Sequence, residues 1–237
     1  AIVNVAHYGL GEAGTISGVL AQDDIGTKHF TQSWLPSGVT STTGVAAPDS
    51  THYMQKPGQG EGMHGTSFGL TDNWAVQLWM NTQNDGGTIQ FATDNSADNL
   101  SIWFQGGHTL GLNTGVMALS TGAQSLTGLG VSGSYVKDTW YRIGIVRDSG
   151  TNYLYVDGVN VGSESTVAAK LNSMLLGFGQ GGNHGGAGSY DELNVWTFAE
   201  SDSLASVEAT MAMMVPEPSS AALFGLGGLA LILRRRK

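Results

Sequence analysis

An all-β body, a sandwich or jelly roll of two antiparallel sheets, is what this sequence predicts, and three observations carry the prediction. Glycine is abundant, at 36 of 237 residues, while charged residues make up only 12%. Apolar and polar residues alternate with period two over a series of short runs. Each run is bounded by Gly, Asn, Asp or Ser, the punctuation of tight turns. Glycine supplies positive φ at no steric cost, which suits many strands joined by such turns. A helical bundle would instead draw on Ala, Glu, Lys and Leu. All-β sandwiches often reach this length as a single domain.

Taken in order, the predicted strands are IVNVAHY (2–8), WAVQLWM (74–80), TIQFAT (88–93), LSIWFQ (100–105), WYRIGIVRD (140–148), NYLYVDG (152–158), LNSMLLGFG (171–179) and YDELNVWTF (190–198). In WAVQLWM, Trp74, Val76, Leu78 and Met80 share one face, while Ala75, Gln77 and Trp79 share the other. Tyr141, Ile143, Ile145 and Arg147 alternate likewise with Trp140, Arg142, Gly144 and Val146. Asn84-Asp85-Gly86-Gly87 and Asp157-Gly158 have the chemistry of hairpin turns. The stretches 39–50 and 177–189 read as loops. One helix is expected, over 201–214, capped by Asp202 or Ser203, with Leu204, Val207 and Met211 at helical spacing. No internal repeat is present.

Charge and cysteine content exclude several function classes. Formal net charge is −9, and four of the ten basic residues fall in Arg234–Lys237. Lys28, Lys56, Lys137, Arg142, Arg147 and Lys170 face eighteen acidic residues across 1–215, so the body stands near −12. Nucleic acid is not an expected partner, since phosphate binding needs a basic face. Absence of cysteine excludes disulfides and thiolate metal sites. The chain opens at AIVNVAHY without methionine, and a leader is expected to have been removed.

Several motifs are decoys. Gly9-Leu10-Gly11-Glu12-Ala13-Gly14 and Gly177-Phe178-Gly179-Gln180-Gly181-Gly182 both fit GxGxxG, but neither precedes a helical pattern, as a phosphate-binding loop requires. The E-x-D-x-x-E pattern of some sandwich glycosidases, which sets carboxylates on one strand face, does not occur. His7, His29, His52, His64, His108 and His184 show no HxH or HExxH spacing; His64, His108 and His184 read as exposed loop residues. There is no GxSxG and no nucleophile with an evident base. Trp74, Trp79, Trp103, Trp140 and Trp196 sit in alternating strands and read as core, whereas Trp34, in FTQSWLPSG, reads as a surface aromatic suited to stacking on sugar.

Three segments give the body a family resemblance. They are the strand with Trp79; Trp140–Gly158 with Tyr155, Asp157 and Gly158; and Gly188–Phe198 with Asp191, Glu192 and Trp196, followed by Leu204. In this order they resemble the laminin-G-like, concanavalin-A-like sandwiches over most of residues 1–212. The acidic pair Asp191-Glu192 is expected to hold a neighbouring loop through backbone N–H groups or an arginine; a ligand role is the alternative. The resemblance implies no cofactor. It does imply a calcium ion at the sandwich rim, for which Asp94, Asn95, Asp98 and Asn99 in TDNSADN offer oxygens, against the plainer reading of an Asx-rich turn.

The tail is of a different kind. Ala221–Leu233 is apolar or glycine throughout, thirteen residues, about 20 Å as a helix against a hydrocarbon core of about 30 Å. Pro216 and Pro218 keep the preceding segment extended, and a basic cluster follows. Pro216-Glu217-Pro218, the apolar run and Arg234, Arg235 and Arg236 together resemble the PEP-CTERM sorting signal. That resemblance implies transient membrane insertion, processing by an exosortase-type enzyme, and a secreted or envelope location in a Gram-negative bacterium; a plain membrane anchor is the alternative.

The expected organisation is therefore a laminin-G-like sandwich over 1–212, a linker with the PEP motif over 213–220, and an apolar helix with basic stop over 221–237. The expected function is a non-catalytic surface or matrix protein that binds extracellular polysaccharide or a surface protein. The alternatives are a homo-oligomeric filament or layer, in which AIVNVAHY adds to a neighbour's sheet edge, and a glycoside hydrolase.

Overall fold

Where period-two alternation meets a turn signal, the chain forms strands, and the described residues build seventeen of them with one helix. The computed structural model describes residues 1–14, 16–17, 20–33, 40–44, 47, 50–56, 63–64, 68–70, 72–82, 86–92, 100–106, 114–121, 130–136, 138–165, 173–176 and 188–213. In chain order the strands are β1 (Val3–Tyr8), β2 (Ile16–Ser17), β3 (Leu20–Ala21), β4 (Gln32–Ser33), β5 (Thr40–Thr43), β6 (His52–Lys56), β7 (Met63–His64), β8 (Trp74–Thr82) and β9 (Gly86–Ala92). They continue with β10 (Leu100–Gly106), β11 (Thr114–Thr121), β12 (Gly130–Val136), β13 (Trp140–Asp148), β14 (Thr151–Val156), β15 (Val159–Ser165), β16 (Ser173–Leu176) and β17 (Gly188–Thr197), before α1 (Leu204–Met213).

The first large sheet runs β15-β14-β13-β8-β17-β6-β5, and the second runs β12-β11-β10-β9-β16-β7-β4. Neighbours pair antiparallel in both, as predicted for an all-β fold. In the first sheet β1 also pairs with β17, along Leu193–Thr197, while β6 pairs with the same strand over Gly188–Tyr190. The two partners thus share one side of β17. Between them the register shifts from Asp191 to Asn194, and Glu192 takes φ +48. This bulge turns the acidic pair out of the regular ladder.

The alternating faces of β8 fall as the sequence predicts. Trp74, Val76, Leu78 and Met80 are at most 1% exposed and join Ile143, Ile145, Leu154 and Val156 in the main core. Met174 and Leu176 of the second sheet belong to the same cluster. Arg147 shares the face of Ile143 and Ile145 and is buried; its Nε donates to Asp72 Oδ1 at 2.9 Å and its Nη1 to Asn152 Oδ1 at 3.2 Å. On the opposite face of the first sheet, Ala75, Val146, Tyr155 and Trp196 form a second cluster with Phe198 and with Val207 and Met211 of α1. The helix falls inside its predicted span. Ser203 caps it, Oγ accepting the Ser206 N–H at 3.2 Å.

Three expectations need correction. Asn84-Asp85-Gly86-Gly87 was read as a hairpin, but β8 lies in the first sheet and β9 in the second. Strand β8 is already flanked by β13 and β17, so the chain has no open edge to fold back on and crosses between sheets. The stretch 39–50 contains β5, where Thr40–Thr43 pairs with β6. AIVNVAHY forms β1, which pairs with β17 in its own sheet. His64 lies on β7, not in a loop. Strands β11 and β12 went unpredicted because Gly and Ser interrupt their apolar pattern.

Among the described residues no helix is long and apolar enough to cross a membrane. The expected apolar helix over 221–237 and the motif residues Pro216, Glu217, Pro218, Arg234, Arg235 and Arg236 lie outside the described residues.

Candidate functional site

Directly opposed residues of an antiparallel pair share a face, so register maps the face of the first sheet that turns away from the main core. Trp79 opposes Arg142 on β13 and Asp191 on β17, which sets a cation, an indole and a carboxyl in one row across three strands. Gln77 opposes Gly144, and Gly144 opposes Tyr155. Asn81 opposes Trp140. Helix α1 covers the part of this face around Trp196. Trp79, Trp140 and Arg142 remain partly exposed.

Where the covered and open parts meet there is a cleft of about 190 Å³, lined by Gln77, Arg142, Tyr155, Asp157, Val159, Glu208 and Met211 among others. Met211 packs down onto its floor because residue 144 is glycine; a Cβ there would stand 2.5 Å from Met211 Cε. The walls are held by hydrogen bonds between sheet and helix. The Tyr155 hydroxyl donates to Glu208 Oε1 at 2.6 Å, and Gln77 Nε2 donates to the Met211 carbonyl at 3.3 Å. Burial, aided by the Glu208 carboxylate, raises the Tyr155 hydroxyl well above the usual phenol range.

Arg142 is placed by the turn after β14. Asp157 and Gly158 both have positive φ, +51 and +82, the geometry of a two-residue hairpin between β14 and β15. Asp157 Oδ1 accepts the Arg142 N–H at 2.8 Å, and the Asp157 N–H donates to the Arg142 carbonyl at 2.7 Å. The guanidinium lies over Gly158, whose missing side chain leaves it space. Burial lowers the Arg142 pKa from its ordinary value, opposed by the nearby Asp157 charge. Nη1 is buried without a hydrogen-bond partner. Val159, beside the turn, is 63% exposed at the mouth of the cleft.

Beside the row, Trp140 meets Tyr53 edge-on, with ring centroids 5.2 Å apart and planes at 70°. Asp191 is fully buried. Its Oδ2 accepts the Ala47 N–H at 3.2 Å and its Oδ1 the Glu192 N–H at 3.0 Å. Burial pushes this carboxyl up to about 7, against the pull of those donors and of Ser50. Glu192 Oε2 instead meets His7 Nε2 at 2.8 Å, and His7 Nδ1 meets Asp24 Oδ2 at 3.2 Å. The Glu192 hydrogen bond raises the His7 pKa, opposed by burial. Asp191 thus holds the loop at Ala47 as expected, with backbone N–H groups rather than an arginine as its donors.

The remaining candidates divide clearly. Asp23 Oδ1 accepts the N–H of His7 and of Ile25, and its Oδ2 the N–H of Lys28. Its own N–H donates to His29 Nδ1. Glu12 binds the N–H of Thr51 and of His52. These acidic side chains therefore brace turns. Among the described residues no group of three or more His, Asp or Glu is placed to hold a metal ion. The calcium candidates Asp94, Asn95, Asp98 and Asn99 lie outside the described residues, as do Trp34, His108, His184 and the second GxGxxG string. The first string leads into β2, not a helix. Glu200 and Asp202, a Glu-x-Asp pair, sit in the turn before α1 and not on a strand. Trp74 and Trp196 are core as expected, at 0% and 1% exposure, but Trp79 and Trp140 are not fully buried. Sequence reasoning missed the cleft because Gln77, Arg142, Tyr155 and Glu208 are brought together only by sheet register and helix docking. The sole local signal was Asp157-Gly158.

Residues 43–203, more than half of the chain, match the family model of the concanavalin A-like lectin/glucanases superfamily. Residues 215–237 match the PEP-CTERM protein-sorting motif. Among solved structures, domain 4 of an extracellular arabinanase from Geobacillus stearothermophilus, in complex with arabinotriose, is similar at a TM-score of 0.64 with 15% identity, covering 91% of this chain and 99% of that one. A mutant of Trypanosoma rangeli sialidase displaying trans-sialidase activity aligns at 0.54 with 9% identity, covering 90% of this chain and 34% of that one. At these identities the likeness is one of fold. No curated protein matches the sequence.

Proposed function

The chain belongs to the concanavalin A-like lectin/glucanases superfamily and carries a PEP-CTERM protein-sorting motif, and from that premise we propose that it is an exported envelope or matrix protein that binds extracellular polysaccharide without turning it over. The observation that carries this reading is the cleft on the outer face of the first sheet. It combines an arginine, two carboxylates, a tyrosine hydroxyl and a glutamine with an exposed valine at the mouth. Saccharides are bound by such sets, in which polar groups meet hydroxyls and apolar or aromatic surface meets the C–H face of the ring. Trp79, next to Arg142 in the row, supplies partly exposed aromatic surface. The arabinanase domain solved with arabinotriose supports a saccharide role for a sandwich of this extent.

Absence of turnover is supported by how the nearby carboxylates are used. Asp157 is engaged by the Arg142 main chain, Glu208 by Tyr155, and Asp191 is buried under its own N–H donors. None of these pairings leaves two free acids facing one substrate bond. The sorting motif makes an exosortase-type enzyme the second partner, acting on 215–237.

A glycan array probed with the full-length chain tests the reading, with the Trp79→Ala variant as control. Saturable binding to extracellular polysaccharide, weakened in the variant, is expected. No binding to any glycan overturns the saccharide function. Release of reducing sugar that stops on replacing Asp157 or Glu208 overturns the absence of catalysis.

A further inference from the structure

Arg142 brings an unmet hydrogen-bond donor to the outer-face cleft, beside the Asp157 charge. Its Nη1 is buried and has no acceptor among the described residues. The two carboxylates beside it are committed elsewhere: Asp157 Oδ1 takes the Arg142 main-chain N–H, and Glu208 Oε1 takes the Tyr155 hydroxyl. By contrast the other arginine of the first sheet, Arg147, is buried with Asp72 and Asn152 as acceptors. Taking a guanidinium out of water without an acceptor is unfavourable. Here the turn enforces it at Nη1, since Asp157 fixes the strand end and the guanidinium lies over Gly158.

What this group lacks is a planar acceptor with two oxygens, the complement of the guanidinium fork. A neutral hydroxyl would meet one N–H, whereas a carboxylate meets the fork with two oxygens in charge-assisted hydrogen bonds. We propose that the Arg142 cleft takes the carboxylate of a uronic acid residue, so that the polysaccharide bound is an acidic one. The proposal rests on the saccharide reading above and names its substrate class. The ring hydroxyls then face Asp157 and Glu208, whose remaining lone pairs accept from them, and Val159 stands at the mouth against the ring's apolar edge. The acidic body repels a polyanion at long range, but screening confines that repulsion to about 8 Å at physiological salt. The contact with Arg142 acts inside that distance.

The test is isothermal titration of the full-length chain with oligogalacturonate, oligoglucuronate and oligomannuronate, each beside its carboxyl-reduced, neutral counterpart. At least one acid form is expected to bind roughly tenfold or more tightly than its reduced counterpart, the scale of one charge-assisted contact. Arg142→Met is expected to abolish the preference and Arg142→Lys to restore part of it, with thermal unfolding confirming that each variant folds. Should Arg142→Met fail to fold, the acid-versus-reduced comparison on the native chain still decides. Equal binding of acid and reduced forms, or a preference that survives in Arg142→Met, overturns the uronate assignment and leaves the saccharide reading standing. Failure of the acid forms, the reduced forms and a neutral glycan array alike overturns both.

Discussion

The Arg142 guanidinium rests on Gly158: a Cβ at that position would stand 2.3 Å from Nη2, and φ there is +82. Two demands therefore meet at one glycine, a left-handed backbone and an open space. Gly158→Ala violates both and is expected to cost about 1–2 kcal/mol from backbone strain alone. Gly158→Asn tolerates the backbone but not the contact. It is expected to recover stability in thermal unfolding without recovering saccharide binding in titration.

Trp74 and Trp79 lie on opposite faces of β8, and their replacements should separate stability from binding. Trp74→Ala empties the main core and is expected to cost about 3–5 kcal/mol in chemical denaturation. Trp79→Ala removes partly exposed surface and is expected to cost much less while weakening polysaccharide binding. A larger loss of stability from Trp79→Ala than from Trp74→Ala would contradict the assignment of faces.

The Tyr155–Glu208 hydrogen bond ties the sheet to the helix at the cleft wall. Tyr155→Phe removes the donor and leaves the ring in place, for an expected loss of about 1 kcal/mol. A double-mutant cycle with Glu208→Ala should return a coupling of similar size. Zero coupling would mean that the helix is held by apolar contact and the Gln77–Met211 hydrogen bond without help from this pair.

Stability should be greatest in mildly acidic solution. Glu12 is pushed up by partial desolvation, but donors from Thr51, His52 and Ser50 outweigh this and hold it at about 2, below its ordinary 4.5. Its contribution is full above pH 4.5 and is lost as pH falls toward 2. Asp191 is raised from 3.8 to about 7, so its contribution is full below 3.8 and declines as pH climbs to about 7. His7 is raised above 6.5, so its contribution is full below 6.5 and is lost as pH rises through the folded-state value. The three together place the maximum near ~pH 4–5. Melting temperatures across pH should show it, Glu12→Gln flattening the acid limb and His7→Gln part of the alkaline one. A steady rise toward pH 8 would refute the His7 and Asp191 assignments.

Asp191 accepts two N–H groups from a fully buried position. Asp191→Ala leaves both unsatisfied and is expected to cost about 1–3 kcal/mol, read by denaturant unfolding.

Much of this architecture was legible in the sequence, because strands announce themselves by alternation. WAVQLWM, WYRIGIVRD and YDELNVWTF became β8, β13 and β17, adjacent strands in the interior of the first sheet. The structural role of Asp191 was legible from its family setting. Alternation does not say which of two faces is covered, however. Trp79 and Trp140 read as core beside Trp74 because nothing local records that α1 reaches only part of the outer face. The pairing of β8 was illegible for a related reason: Asn84-Asp85-Gly86-Gly87 specifies a tight turn but not the sheet that receives the next strand. The cleft was least legible of all, since Gln77, Arg142 and Glu208 meet through long-range register.

Met211 and Ala212 line the cleft, and α1 ends at Met213. The chain beyond that point therefore starts within a residue or two of the cleft. On the reading proposed above, a tether at this end would meet the domain beside the cleft. In the envelope setting proposed above, the length of that tether would set how far the cleft reaches. Lengthening the segment after Met213 would be a direct way to change that reach.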